Sequence, residues 1–318
     1  MNFGSDNQAG ACDAVMNAVA AANAGNAHGY GSDVWSERAT AMLRQIFQRD
    51  LEAFFVLTGT AANSLSLSCL AQPWELILCH NHAHIVNDEA TAPEFFTGGA
   101  RLIGISGADG KLEPRHLEEY FATAGKEYPH HCRAAALSVT QASEDGLVYT
   151  PAEIGALSAI AKREGLKIHM DGARFANAIA ALKCSPAEIS WQAGVDVLCF
   201  GATKNGALAA EAVLFFDKAL AEQFVYRRKR AGHLLSKSRY IGAQFEAWLK
   251  DKHWIEMAAH ANACTTRLAK ELTSVPGVRI TWPAQANETF VVLKKKLDCT
   301  RNVRSVAPSA AGVASTST

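Results

Sequence analysis

Gly165-Leu-Lys-Ile-His-Met-Asp-Gly-Ala-Arg174 is a short apolar run that ends on an acid, and Val195-Asp-Val-Leu-Cys-Phe-Gly-Ala-Thr-Lys-Asn-Gly206 follows the same plan with a lysine beyond the run. Runs of this length, closed by turns of small residues, read as buried strands of a sheet rather than as helices. Open parallel sheets take their ligands beyond the carboxyl ends of their strands, and Asp171 and Lys204 both fall there. A carboxylate in that position can hold a ring nitrogen protonated, and a lysine can form an imine with an aldehyde; pyridoxal phosphate requires both of its protein. Gly201, Ala202, Thr203 and Gly206 leave room for a flat ring beside Lys204, where desolvation would free its amine. Each residue has a plainer reading, a strand-ending turn acid with a surface arginine at 174, and a solvated loop lysine.

Outward from this pair, apolar runs at 53–57, 76–79, 101–105, 134–139, 166–170, 195–200 and 212–216 alternate with helical patterns. That alternation predicts an α/β fold with a seven-stranded, mainly parallel sheet flanked by helices. The clearest helix start is Thr150-Pro-Ala-Glu153, with an N-cap threonine, a proline at the first helical position and a glutamate to close a capping box. After Phe216 the alternation stops, giving way to helical stretches at 218–230 and 240–272 and two short strands at 278–282 and 289–293. We read residues 1–245 as an N-terminal segment and large domain, 246–298 as a small, incomplete α+β domain, and 299–318 as a disordered tail without periodicity.

With 318 residues, 49% of them hydrophobic and 19% charged, and a formal net charge of zero, the chain has ample core and nothing to recruit nucleic acid or an anionic membrane. No run reaches membrane-spanning length and no secretory signal is visible. The eight cysteines contain no Cys-x-x-Cys pair, and several lie in apolar runs; they read as reduced, which points to the cytoplasm.

Two further stretches carry chemistry. Thr58-Gly-Thr-Ala-Ala-Asn63 follows the first apolar run and opens a helix through Leu70, so its N–H groups and dipole form a candidate phosphate cup, although a simple N-cap explains it equally. His80-Asn-His-Ala-His84 puts three imidazoles at spacing two, on one face if the strand continues. No cysteine or carboxylate completes a ligand set at recognisable spacing, so we read no metal there and assign His84 to ring stacking, with Glu89 as its hydrogen-bond partner.

These pieces, in this order, resemble the threonine aldolase and β-eliminating lyase family of fold-type I pyridoxal phosphate enzymes, specifically its low-specificity L-threonine aldolases. The resemblance runs from Phe3 to about Leu293 and rests on Ser5-Asp6, Tyr30-Gly-Ser-Asp33, Thr58-Gly-Thr60, Ala83-His-Ile85 with Glu89, Asp171-Gly-Ala-Arg174 and Lys204. It implies an aspartate-aminotransferase-like fold. It also implies that Lys204 carries the cofactor, Asp171 meets the pyridine nitrogen, Arg174 meets the phenolic oxygen, and Thr58, Gly59, Thr60 and Thr203 help to bind the cofactor. Ser5, Tyr30 and Arg174 would serve the substrate, His84 and Glu89 the proton transfers, and one of Arg230, Lys237 or Arg239 a neighbouring subunit's phosphate in a homotetramer. His130 and His131 lie near a family histidine that handles the substrate hydroxyl.

The implied reaction is retro-aldol cleavage of a β-hydroxy-α-amino acid to glycine and an aldehyde. One feature departs from the family: the arginine that normally grips the α-carboxylate late in the small domain has no counterpart, since only Arg301 and Arg304 lie late enough and their surroundings differ. The expectation is therefore a cofactor-binding chain with weak aldolase turnover. Alternatives are another fold-type I lyase or aminotransferase, or a catalytically impaired relative. A nucleotide-binding dehydrogenase is disfavoured because no Gly-x-Gly-x-x-Gly follows the first strand.

Overall fold

The computed structural model describes residues 4–107, 110–125 and 127–294. Its main sheet is built from β1 (Glu52–Val56), β2 (Leu76–His80), β3 (Arg101–Ile105), β4 (Ala134–Thr140), β5 (Lys167–Gly172), β6 (Val197–Gly201) and β7 (Glu211–Phe215), ordered β1-β7-β6-β5-β4-β2-β3. β2 to β6 pair in parallel, while β7 runs antiparallel between β1 and β6. The seven expected strands are all present, with ends displaced by at most two residues. The displacement that matters is in β5, which continues through Asp171 to Gly172; Asp171 pairs with Cys199, and its carbonyl accepts from Gln141 N at 2.7 Å. The acid is therefore held by the ladder itself.

Both faces of the sheet are covered, which is why its strands read as nearly continuous apolar runs. Successive residues feed opposite cores: Leu198 and Phe200 of β6 enter one, Val197 and Cys199 the other, and Leu214 and Val213 of β7 divide likewise. The helix Pro151–Arg163 begins as its sequence dictates, with Thr150 Oγ1 accepting from Glu153 N at 3.2 Å and Glu153 Oε2 accepting from Thr150 N at 2.7 Å. Its buried face carries Ile154, Leu157 and Ile160 against the sheet.

The long helical stretch after residue 239 is two helices, Arg239–Leu249 and His253–Thr273, joined by a 3-10 turn in which Asp251 and Lys252 take positive φ of 53° and 62°. That break folds Trp248 back beside Trp254, with ring centroids 5.6 Å apart, and both pack on Phe200. The expected helix at 218–230 is likewise split, into a 3-10 turn Lys218–Ala221 and a helix Phe224–Arg230. β8 (Val278–Ile280) and β9 (Val291–Leu293) form a two-stranded antiparallel sheet, each shorter than expected. The stretch between them returns to the loop that follows β4, where Gln285 Oε1 accepts from Val148 N at 2.8 Å. The proposed tail at 299–318, with Arg301 and Arg304, lies outside the described residues. Among the described residues no helix is long and apolar enough to cross a membrane.

Candidate active site

The carboxyl ends of β1, β4, β5 and β6 surround a cavity of about 260 Å³ whose lining includes Thr58, His84, Glu89, Asp171 and Lys204. Residues far apart in sequence meet there because they lie at or beyond the carboxyl ends of several strands of the same sheet.

Asp171 is buried and faces this cavity. Its Oδ2 accepts from Asn63 Nδ2 at 2.9 Å and its Oδ1 from Ala173 N at 3.0 Å, so its orientation is fixed while each oxygen keeps a lone pair for a ligand. Asn63 gives its second amide hydrogen to Glu89 Oε1, also at 2.9 Å, and the same oxygen meets His84 Nδ1 at 2.9 Å. His84, Glu89, Asn63 and Asp171 thus form one chain of hydrogen bonds. The bond to Glu89 holds the His84 imidazole above its ordinary pKa, against the opposing effect of burial. Burial raises Glu89 in turn, with His84 and Asn63 opposing.

Lys204 sits in the turn Thr203–Asn205 directly after β6. Its C-terminal neighbour is anchored in the core twice: Asn205 Nδ2 donates to Trp254 O at 2.7 Å, and Trp248 Nε1 donates to Asn205 O at 2.8 Å. Gly206 follows at φ 92°, with a Cβ there only 2.8 Å from Met257 Sδ, so this turn needs glycine. Glu211, at the head of β7, also lines the cavity; burial pushes it up to about 7, with hydrogen bonds from Thr203 and the charge of Lys204 opposing. A carboxyl whose folded pKa is raised stabilises the fold fully below its unfolded value of 4.5 and loses that contribution as pH rises through 7. Glu211→Gln should therefore gain stability relative to the unloaded parent chain by roughly 3 kcal/mol from about pH 4 to about pH 8. Urea denaturation of both proteins across that range measures it, and a pH-independent difference would contradict it.

The expected phosphate cup is the start of the helix Gly59–Leu67, where Thr58 Oγ1 accepts from Ala61 N at 3.2 Å. The N–H groups of Gly59 and Thr60 precede the first intrahelical bond, Ala62 N to Thr58 O, and nothing lies within 4 Å of where a Cβ of Gly59 would stand. An anion at this helix end is favoured by the open N–H groups and the dipole.

Other expected residues stand apart from the cavity. Arg174 is buried in an ion-pair cluster: Nε and Nη2 donate to Asp6 Oδ2 and Oδ1 at 2.8 and 3.1 Å, and Nη2 lies 2.9 Å from Glu288 Oε1. Its hydrogen-bonding edge is thus taken up by two carboxylates. Ser5 is exposed and caps the turn Asp6–Gln8, its Oγ accepting from Asn7 N at 3.2 Å. Tyr30 is exposed, with Lys229 Nζ 5.0 Å from its ring centre. Arg239 donates to Gly25 O at 3.1 Å, and Arg230, Lys237, His130 and His131 are exposed. Of the three closely spaced histidines only His84 lines the cavity. β2 ends at His80 and the chain turns, so His82 instead meets Asp145 Oδ2 at 2.9 Å, and His80, His82 and Asp145 each bring a ligand-type atom within 4.8 Å of the others.

Asn63, Glu144 and Glu211 are cavity residues that the sequence reading did not assign. Asn63 falls one helical turn after Gly59, on the same helix face; that spacing was the available signal.

An acid positioned by two N–H donors, an amine in a turn of small residues, a half-buried imidazole and an open helix N-terminus on one cavity fit the ring nitrogen, aldehyde, ring face and phosphate of pyridoxal phosphate. The family model for Beta-eliminating lyase matches residues 2–296. The chain belongs to this threonine aldolase and β-eliminating lyase family of fold-type I pyridoxal phosphate enzymes. It is 46% identical over 293 residues to the low specificity L-threonine aldolase of Pseudomonas aeruginosa, covering 92% of this chain and 84% of that one. The low specificity L-threonine aldolase of another Pseudomonas is 44% identical over 301 residues, covering 94% and 86%. Among solved structures, threonine aldolase from Leishmania major superposes with a TM-score of 0.86 at 28% identity, covering 94% of this chain and 86% of that one.

Proposed function

We propose that this protein cleaves L-threonine, L-allo-threonine and related β-hydroxy-α-amino acids to glycine and an aldehyde, with pyridoxal phosphate held at Lys204. The observation that carries this reading is the convergence of Asp171, Lys204 and His84 with the helix start at Gly59 on one cavity, in a chain whose similar relatives are named as threonine aldolases. When bound, the cofactor supplies an electron-accepting ring that stabilises negative charge at the substrate's α carbon.

The protein's own contribution is positional and electrostatic. Asp171, steadied by Asn63 and Ala173, keeps the ring nitrogen protonated. His84, steadied by Glu89, would stack on the ring, and Thr58, Gly59, Thr60 and Thr203, which line the same cavity, would bind the cofactor. Lys204 would hold the cofactor and would carry a proton to and from the substrate's α carbon. Ser5 would help to grip the substrate carboxylate, and Arg174 would meet the cofactor's phenolic oxygen and, with Tyr30, serve the substrate. Because Asp6 and Glu288 already occupy Arg174, a ligand that bonds to it must displace one of them, at a cost in affinity. The chain is assigned to the cytoplasm on its free cysteines. We read it as a homotetramer in which Tyr30 and Arg239, or Arg230 or Lys237 in its stead, reach a neighbour's cofactor phosphate; sedimentation equilibrium of the loaded protein tests the assembly. The division near residue 245 into large and small domains is part of the same reading, and limited proteolysis tests it.

Incubation of the cofactor-loaded chain with L-threonine should release glycine and acetaldehyde in equal amounts, measured by chromatography and a coupled reductase. Transfer of the amino group to a keto acid, without aldehyde release, would contradict the reading.

A further inference from the structure

Glu144 follows β4 in the turn Ala142-Ser-Glu-Asp-Gly146. The backbone on either side of it is pinned. Ser143 N donates to Leu147 O at 2.8 Å, Leu147 N donates to Ser143 Oγ at 3.2 Å, and the next residue, Asp145, is bound by His82 at 2.9 Å. Held at both shoulders, Glu144 turns its side chain into the cavity that contains Lys204 and His84.

The other acids that line this cavity are already engaged. Asp171 accepts from Asn63 and Ala173, Glu89 is bonded to His84 and Asn63, and Glu211 accepts from Thr203. Glu144 has no hydrogen bond or ion pair among the described residues. Glu144 is half-buried on the wall of a ligand cavity, and with no protein partner its carboxyl is free to meet a substrate.

We propose that Glu144 is a catalytic residue, the base that takes the proton from the substrate's β-hydroxyl as the carbon–carbon bond breaks. This rests on the aldolase reading of the same cavity. The proton passes from the hydroxyl oxygen to the Glu144 carboxylate while the Cα–Cβ bond breaks and the C–O single bond becomes the aldehyde C=O. The electron pair of the broken bond remains at Cα, stabilised by the electron-accepting ring, until a proton arrives there and gives glycine; Glu144 then returns its own proton to solvent. His84 is the less suitable base, because Glu89 favours its protonated form. Burial raises the Glu144 carboxyl above the ordinary glutamate range, reinforced by Asp171 and opposed by Arg174, Lys204 and His84, and such a base works closer to neutral pH.

The test compares the cofactor-loaded parent with Glu144→Gln and Glu144→Asp. For Glu144→Gln, kcat on L-threonine should fall by about 10²–10⁴-fold with KM little changed, and the acidic limb of the kcat profile, which marks protonation of the base, should disappear. Glu144→Asp should recover part of the rate. Exchange of the glycine α-proton with deuterated water, which needs the cofactor site but no hydroxyl base, should stay within about threefold of the parent. In the unloaded protein, carbon-13 NMR of labelled glutamates should show one fewer carboxyl titrating above the usual range in Glu144→Gln. Threonine cleavage by Glu144→Gln within about threefold of the parent, or a parallel loss of glycine exchange, would overturn the assignment. A parent that exchanges glycine but does not cleave threonine would instead overturn the aldolase reading, and this proposal with it.

Discussion

Replacing Lys204 by alanine is expected to reduce threonine cleavage by roughly 10³-fold or more, and to remove the absorbance at the visible edge of the ultraviolet that the loaded protein should show. Lys204 is the amine among the described residues that line the cavity. Among the described lining residues no other side chain is an amine that can form the covalent attachment. The variant should fold normally, because the anchors of this turn, Asn205 to Trp254 and Trp248 to Asn205, do not involve the lysine side chain. Unfolding by heat or urea should therefore stay within about 1 kcal/mol of the parent. Retained absorbance and turnover in a normally folded Lys204→Ala protein would show that the cofactor is attached elsewhere.

Asp171→Asn should reduce kcat by about 10²–10³-fold while changing KM little, since the interaction it removes matters most when charge builds up on the ring. Asparagine keeps the shape and can still accept from Asn63 through its carbonyl. Its amide then turns toward Ala173 N and the ring nitrogen, offering a donor where an acceptor is required. Asp171→Ala separates charge from packing, because it also leaves one Asn63 N–H buried without an acceptor, at a cost of about 1–3 kcal/mol in stability. Steady-state kinetics and urea denaturation of both variants measure the two effects. A change confined to KM in Asp171→Asn would mean that the carboxylate serves only to bind.

The features most legible in the sequence were those with local causes. Asp171 and Lys204 could be located because each closes an apolar run, and the capping box at Thr150 because its two partners lie in one turn. Thr58 and Gly59 could be found for the same reason, at the junction of a strand and a helix. What was hidden depends on distant partners. Nothing near Arg174 in the sequence announces that the fold brings to it Asp6, 168 residues away, and Glu288 from the stretch between β8 and β9. The histidines at 80, 82 and 84 alternate as a strand would, but β2 ends at His80, and the turn that follows sends only His84 into the cavity. The break at Asp251 and Lys252 carries no glycine or proline to announce it; the packing of Trp248 against Trp254 and Phe200 accompanies a backbone that side chains of those types seldom adopt. Glu144 stayed hidden because a Ser-Glu-Asp-Gly stretch is ordinary turn chemistry, and only the assembled fold shows which of its acids lines the cavity.

The central claim, that one lysine of this cavity carries pyridoxal phosphate, is tested most directly by borohydride reduction of the loaded protein followed by peptide mapping. The expected result is a single modified peptide bearing the reduced cofactor on Lys204, absent when substitution removes that lysine. Modification of another lysine in its place, or none in protein fully supplied with cofactor, would contradict it.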